Sequence, residues 1–103
     1  MDEGRCRKLK IRVLYFGFIK NILNKKEENI ELEEGAFLSD LLNKLAVANG
    51  KVFQKEVYEP GLKDVKMGFS ITINGVLKDQ LGGLDTKLSE GDNVIMMSLM
   101  SGG

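Results

Sequence analysis

The stretch Leu9-Lys10-Ile11-Arg12-Val13-Leu14-Tyr15-Phe16-Gly17 alternates two sets of side chains. Leu9, Ile11, Val13 and Tyr15 fall on one side of an extended chain, and Lys10, Arg12, Leu14 and Phe16 on the other. Period two with β-branched and aromatic content predicts a strand. Its second side changes from charged to apolar toward Phe16. Beyond it, 24–28 is polar enough to turn the chain, and over 29–33 Ile30 and Leu32 alternate with charges, so 29–33 is expected to pair back on the first strand as a hairpin.

Glu34-Gly35 closes that hairpin. Leu38, Leu41, Leu42, Leu45 and Ala48 then follow the i, i+3, i+4 spacing of an amphipathic helix, with Ser39 or the residues before it near the start and Gly50 just past the end. The segment 51–66 is ambiguous. Val52, Phe53 and Val57 could extend the helix, whereas Pro60-Gly61 is a break, and the segment is read as a connection. A strand follows over 69–73, and Asn74-Gly75 is the dipeptide most favoured in a two-residue hairpin turn, with Val76-Leu77 beginning the return strand. Leu81-Gly82-Gly83-Leu84 and Lys87-Leu88 suggest an irregular or one-turn helical link. Glu90-Gly91-Asp92 turns into a last strand over 93–100.

Two strands, a helix and three strands form a single sheet with the helix on one face, an α+β arrangement. The first and last strands can then lie parallel at its centre, which is the β-grasp (ubiquitin-like) order. The expected organisation is a flexible N-terminal segment over 1–7, a β-grasp domain over 8–100 and a Ser-Gly-Gly tail over 101–103. A chain of 103 residues suits one such domain.

Composition narrows the chemistry. Fifteen Lys and Arg balance fifteen Asp and Glu, so no net field draws nucleic acid or anionic lipid from a distance. Without a basic stripe and interleaved aromatics, an RNA-binding domain is disfavoured. Histidine is absent, which removes the usual general base near neutral pH and the commonest zinc ligand. Cys6 is the single cysteine, so there is no internal disulfide and no multi-cysteine metal site; it reads as an incidental thiol in a reducing compartment. A self-sufficient enzyme is disfavoured, and no metal or cofactor is expected on the chain. No apolar run reaches the roughly 18 residues that span a bilayer, and 1–10 has no signal-peptide core, so a cytoplasmic location is expected. Gly82-Gly83 lacks the Lys-Ser/Thr and the strand-to-helix setting of a phosphate loop.

The chain ends Ser101-Gly102-Gly103, and two terminal glycines arise by chance only about once in two hundred chains. Lacking Cβ atoms, such a tail can thread a narrow channel and present its terminal carboxylate to another enzyme. At about 3.3–3.6 Å per extended residue, the four residues from Met100 to Gly103 reach roughly 13–14 Å. In the strand before it, Ile95, Met97 and Leu99 alternate with Val94, Met96, Ser98 and Met100, leaving both sides apolar. Either both sets are core, or one is an adaptable methionine-rich patch beside the tail, which Phe16 and Leu14 could join.

Taken together, these motifs resemble the MoaD/ThiS sulfur carriers, which include molybdopterin synthase small subunits, the thiamine-pathway carrier and the archaeal small modifiers related to ubiquitin. The likeness runs over about residues 8–103. It rests on the opening stretch through Gly17, on Leu41-Leu42-Asn43-Lys44-Leu45, and on Ile73-Asn74-Gly75. Leu84-Asp85-Thr86-Lys87-Leu88, Glu90-Gly91-Asp92-Asn93-Val94 and the terminal Ser-Gly-Gly complete it. The resemblance implies that an E1-like enzyme uses ATP to adenylate Gly103, with Gly102 beside it. A sulfur donor then makes a thiocarboxylate, molybdopterin synthesis being the pathway read first and thiamine or tRNA the others. The partners so implied are that E1-like enzyme, the sulfur donor and a molybdopterin synthase large subunit, of which this chain would be the small, sulfur-carrying companion. Phe16, Met97, Leu99, Met100 and Ser101 are the expected partner-binding residues. Conjugation through Gly103 to target lysines, or a binding module that never uses its tail, are the alternatives. Where many small subunits have a Phe-Pro-Pro-Val type segment, this chain has Met97-Ser98-Leu99-Met100, and the 51–66 stretch is also atypical.

Overall fold

The computed structural model describes residues 8–66 and 68–98. Strand β1 (Lys8–Gly17) buries Leu9, Ile11, Val13 and Tyr15, as the period-two pattern requires. Helix α1 (Phe18–Leu23) follows at once and puts Ile19 and Leu23 into the same core. Strand β2 (Glu27–Glu33), helix α2 (Leu38–Glu56), strand β3 (Phe69–Ile73), the two-residue strand β4 (Val76–Leu77), 3-10 turns at Lys78–Gln80 and Gly83–Asp85, and strand β5 (Asn93–Ser98) complete the chain order. The sheet order is β2-β1-β5-β3-β4. β1 and β5 are parallel at its centre and every other pairing is antiparallel, the expected β-grasp arrangement.

Departures from the sequence-based expectation have identifiable causes. Residues 18–23 carry the short helix α1, whose Ile19, Ile22 and Leu23 have helical i, i+3, i+4 spacing but in a single set too short to stand out as a period. β2 begins at Glu27 rather than at 29, where two cross-strand pairs tie its start down: the Arg12 guanidinium meets Glu27 at 2.8 Å and the Tyr15 hydroxyl donates to Glu28. Helix α2 does not stop at Gly50 but kinks there (φ 74°, ψ −155°) and runs on to Glu56. The kink re-aims the apolar stripe, so Phe53, Val57 and Tyr58 are fully buried, whereas Ala48 is exposed. The 51–66 segment therefore contributes to the core. Tyr58 donates its hydroxyl to the Leu62 carbonyl at 3.2 Å, and the Lys66 N–H donates to the Val57 carbonyl at 2.8 Å.

Helix α2 starts on the residues just before Ser39, one of the two starts expected, with Phe37 at its cap and Asp40 in its first turn. The Phe37 N–H donates to Asp40 Oδ2 at 2.8 Å, placing an acidic group in the first turn where the helix dipole favours it. At the far end of the sheet Asn74 and Gly75 both take left-handed φ, 52° and 89°, as a two-residue hairpin of this composition requires. Asn74 also holds the last strand: its Nδ2 donates to Asp92 Oδ1 at 2.9 Å and its Oδ1 accepts the Asn93 N–H at 3.0 Å. Asp92 Oδ2 accepts the Ser89 N–H at 2.8 Å, closing the Glu90-Gly91 turn. The resembling motifs around Ile73 and Glu90 thus serve to fix where β5 begins.

Candidate functional site

Both helices contribute to one core on one side of the sheet. The other side carries the second set of β1 side chains, and the strand register shows which residues lie beside them. Phe16 pairs with Met97, and Met97 with Ser70. One rung back, Leu14 pairs with Ile95, Ile95 with Thr72, and Thr72 with Leu77. Two adjacent rows therefore form a patch of Leu14, Phe16, Ile95, Met97 and Leu77 bordered by Ser70 and Thr72. Phe16 is 49% exposed and Leu77 44%, while Leu14, Ile95 and Met97 are half-buried. Val94 and Met96, on the core side of β5, are fully buried. Among the described residues the two faces of β5 thus differ, Val94 and Met96 lying in the core and Ile95 and Met97 half-buried on the other side.

Toward the N-terminal end of β1 the same face becomes polar. Arg12 contacts Glu27 Oε1 through two nitrogens at 2.8 and 3.2 Å, and Lys10 and Glu31 occupy the next rung. The patch is thus confined to the end of β5 nearest residue 98. There Phe16 forms one wall of a depression of about 350 Å³, shared with Leu14, Tyr15, Lys20, Lys26 and Glu27. Apolar surface with methionine and aromatic side chains is common where proteins meet one another.

Of the expected partner-binding residues, Phe16 and Met97 are adjacent on this patch. Leu99, Met100 and Ser101, with Gly102 and Gly103, lie outside the described residues, as does Cys6. Leu77 and Ile95 were not among the expected site residues. Register could have found Leu77: an Asn74-Gly75 turn pairs Ile73 with Val76, which places Leu77 beside Thr72 on the face opposite Ile73.

Beneath Phe16, its neighbour Tyr15 points into the core and ends in a polar cluster. Its hydroxyl donates to Glu28 Oε2, which also accepts from Asn49 Nδ2 at 3.1 Å, while Lys25 Nζ lies 3.4 Å from Oε1. Burial pushes the Tyr15 hydroxyl far above its ordinary range, and the Glu28 charge adds to this, so it remains a donor. For Glu28, burial opposes ionisation, but the bonds from Tyr15 and Asn49 and the Lys25 ammonium outweigh it and hold its carboxyl below the usual range. The cluster joins β1, β2 and α2 under the patch, and its chemistry is structural.

Lys78 is also buried: 5% exposed, it lies 2.9 Å from Asp64 and 2.7 Å from Asp79. Among the described residues no group of three or more His, Cys, Asp or Glu could hold a metal ion. Nor is any helix among them long and apolar enough to cross a membrane.

Comparison with known proteins agrees with this geometry. Comparison with curated protein sequences finds no match. Among solved structures, a putative molybdopterin converting factor subunit 1 from Pyrococcus furiosus is similar at 27% identity, covering 89% of this chain and 99% of that one, with a TM-score of 0.67. The small archaeal modifier protein 1 from Methanosarcina acetivorans is similar at 21% identity, 94% and 99% coverage and a TM-score of 0.73. Urm1 from Trypanosoma brucei is similar at 19% identity, 94% and 98% coverage and a TM-score of 0.75. The last two speak for the fold alone, a ubiquitin-like β-grasp. The ThiS family model matches residues 13–103, from the middle of β1 through the terminal glycines, and the chain belongs to the ThiS family.

Proposed function

We propose that this protein is a sulfur carrier whose working group is the carboxylate of Gly103, activated by an E1-like partner that docks on the Leu14, Phe16, Ile95, Met97 and Leu77 patch. The observation that carries the reading is the position of that patch, on the end of β5 from which the Ser101-Gly102-Gly103 sequence continues. A carboxylate is a poor electrophile, and among the described residues this chain has no nucleophile and base arranged to change that. The partner supplies the chemistry. A Gly103 oxygen attacks the α-phosphorus of ATP, pyrophosphate leaves, and the acyl-adenylate forms. Sulfur delivered at the sulfide level then attacks the carbonyl carbon, AMP leaves with the C–O bonding pair, and a thiocarboxylate remains. In this reading ATP belongs to the partner's site, and this chain needs no cofactor of its own.

The 27%-identical structure described as a putative molybdopterin converting factor subunit supports molybdopterin synthesis as the acceptor pathway, with a synthase large subunit as second partner. In the second reading a lysine amine of a target protein attacks the same adenylate, expels AMP and leaves an isopeptide bond. The structural similarity to a small archaeal modifier protein is the observation behind it.

The test is ATP–pyrophosphate exchange by the E1-like enzyme of the same organism with this protein as substrate. Exchange is expected with the full chain and is lost when Gly103 is deleted. Exchange that persists without Gly103, or that never occurs with the full chain, contradicts the reading.

A further inference from the structure

We propose that the depression beside Phe16 takes an acidic segment of the activating enzyme, with Lys20 and Lys26 reading its carboxylates, an inference that rests on that enzyme docking on the apolar patch. The depression is walled by Leu14, Tyr15 and Phe16 of β1 and by Lys20, Lys26 and Glu27. Its charged groups are not equally committed. Glu27 is held by the Arg12 guanidinium through two nitrogens, and Lys25 lies 3.4 Å from Glu28. Lys20 and Lys26 are exposed, and among the described residues neither has an ion-pair partner. Two cations are therefore left over along one wall, in a chain whose formal net charge is zero.

The backbone holds these two lysines at the same place. Helix α1 ends on Asn24 in the left-handed conformation, φ 56° and ψ 42°, and the Lys20 carbonyl accepts both the Asn24 N–H and, at 3.3 Å, the Lys25 N–H. This reversal returns the chain to the sheet at once, where the Tyr15 N–H donates to the Lys26 carbonyl at 2.8 Å. Lys20 and Lys26 thus stand beside Phe16 on an anchored turn. The opposite border of the patch is neutral, formed by Ser70 and Thr72. A partner whose apolar surface covers Phe16 and Met97 meets two uncompensated cations on the β2 side and hydroxyl groups on the β3 side. Carboxylates facing the β2 side are attracted before contact and fix how the partner is turned on the patch, whereas lysines or arginines there are repelled. Charges at such a rim act on the association rate and its salt dependence more than on the strength of the final contact.

The test measures binding of the full chain to the E1-like enzyme of the same organism without ATP, by calorimetry and by stopped-flow mixing, so that docking is read apart from any chemistry at Gly103. Lys20→Glu combined with Lys26→Glu should raise Kd about tenfold or more, mostly through slower association. The wild-type Kd should itself rise between about 0.1 and 1 M salt, as the screening length falls from about 10 to 3 Å, while that of the charge-reversed chain should not. Lys55→Glu combined with Lys63→Glu makes the same change in net charge on α2 and the stretch after it, and should leave Kd within about twofold of wild type. Should the charge-reversed chain fail to fold, Lys20→Met combined with Lys26→Met keeps the aliphatic stems and should raise Kd about threefold or more. A folded charge-reversed chain that binds as the Lys55 and Lys63 control does overturns the proposal, as does a methionine pair of wild-type affinity or a wild-type Kd that ignores salt. A wild-type chain that does not bind the enzyme overturns the docking reading and this inference together. Equal binding of the wild-type and charge-reversed chains overturns this inference alone.

Discussion

Replacing Glu28 by Ala should reveal a clip beneath the docking patch, and its size can be worked from the contacts. Glu28 Oε2 accepts from the Tyr15 hydroxyl and from Asn49 Nδ2 at 3.1 Å, and Tyr15 is 1% exposed. Without the carboxylate, the Tyr15 hydroxyl is left in the core with its acceptor gone, a cost of about 1–3 kcal/mol. For a domain of this size that lowers Tm by about 4–8 °C per kcal/mol. Tyr15→Phe removes the donor instead and leaves Glu28 with Asn49 and Lys25, so it should cost about 1 kcal/mol. In the double variant neither group is stranded, and the loss should fall short of the sum of the single losses by about 1–2 kcal/mol.

The pH dependence follows with its sign. The Glu28 carboxyl is held below its ordinary range in the folded chain, so the unfolded chain takes up the proton first as pH falls. The contribution is complete above the unfolded value of about 4.3 and disappears as pH drops through the lower folded value. Urea titrations of the four proteins at neutral pH and at acid pH measure both effects. Losses that add within about 0.3 kcal/mol, with the same acid dependence in Glu28→Ala as in wild type, would refute the clip.

Phe53→Ala should destabilise the fold by about 3–5 kcal/mol, and Val52→Ala, next to it but 42% exposed, by no more than about 0.5 kcal/mol; chemical denaturation checks both. Phe16→Asp and Met97→Asp should each raise KM for the activating enzyme about tenfold or more while leaving Tm within a few degrees, read by pyrophosphate exchange and thermal melting.

The sheet was readable from the amino acids because its signals are local. Alternation in β1 and β2, the Asn74-Gly75 turn and the Leu38 to Leu45 spacing each specify an element without help from distant residues. Phe16 and Met97 were readable as neighbours for the same reason, since a parallel central pair follows from the order of elements. Helix α1 was not, because Ile19, Ile22 and Leu23 give a single i, i+3, i+4 set with no repeat to extend it, and they acquire meaning only against α2. The continuation of α2 beyond Gly50 was hidden because glycine ordinarily ends a helix, and here it redirects one, turning Phe53 inward. A Cβ on Gly17 would lie 2.8 Å from the Ser98 carbonyl oxygen, so that position calls for glycine, and no local pattern reports a backbone contact across a sheet.

The most direct test of the central claim is intact-mass spectrometry of the untagged protein isolated from its own organism. A fraction heavier by the exchange of one oxygen for sulfur is expected, localised to Gly103 and trapped by a thiol-alkylating reagent. A Gly103 that is always a plain carboxylate, in cells where the activating enzyme is present and where no target lysine carries the Gly-Gly remnant, would contradict the claim.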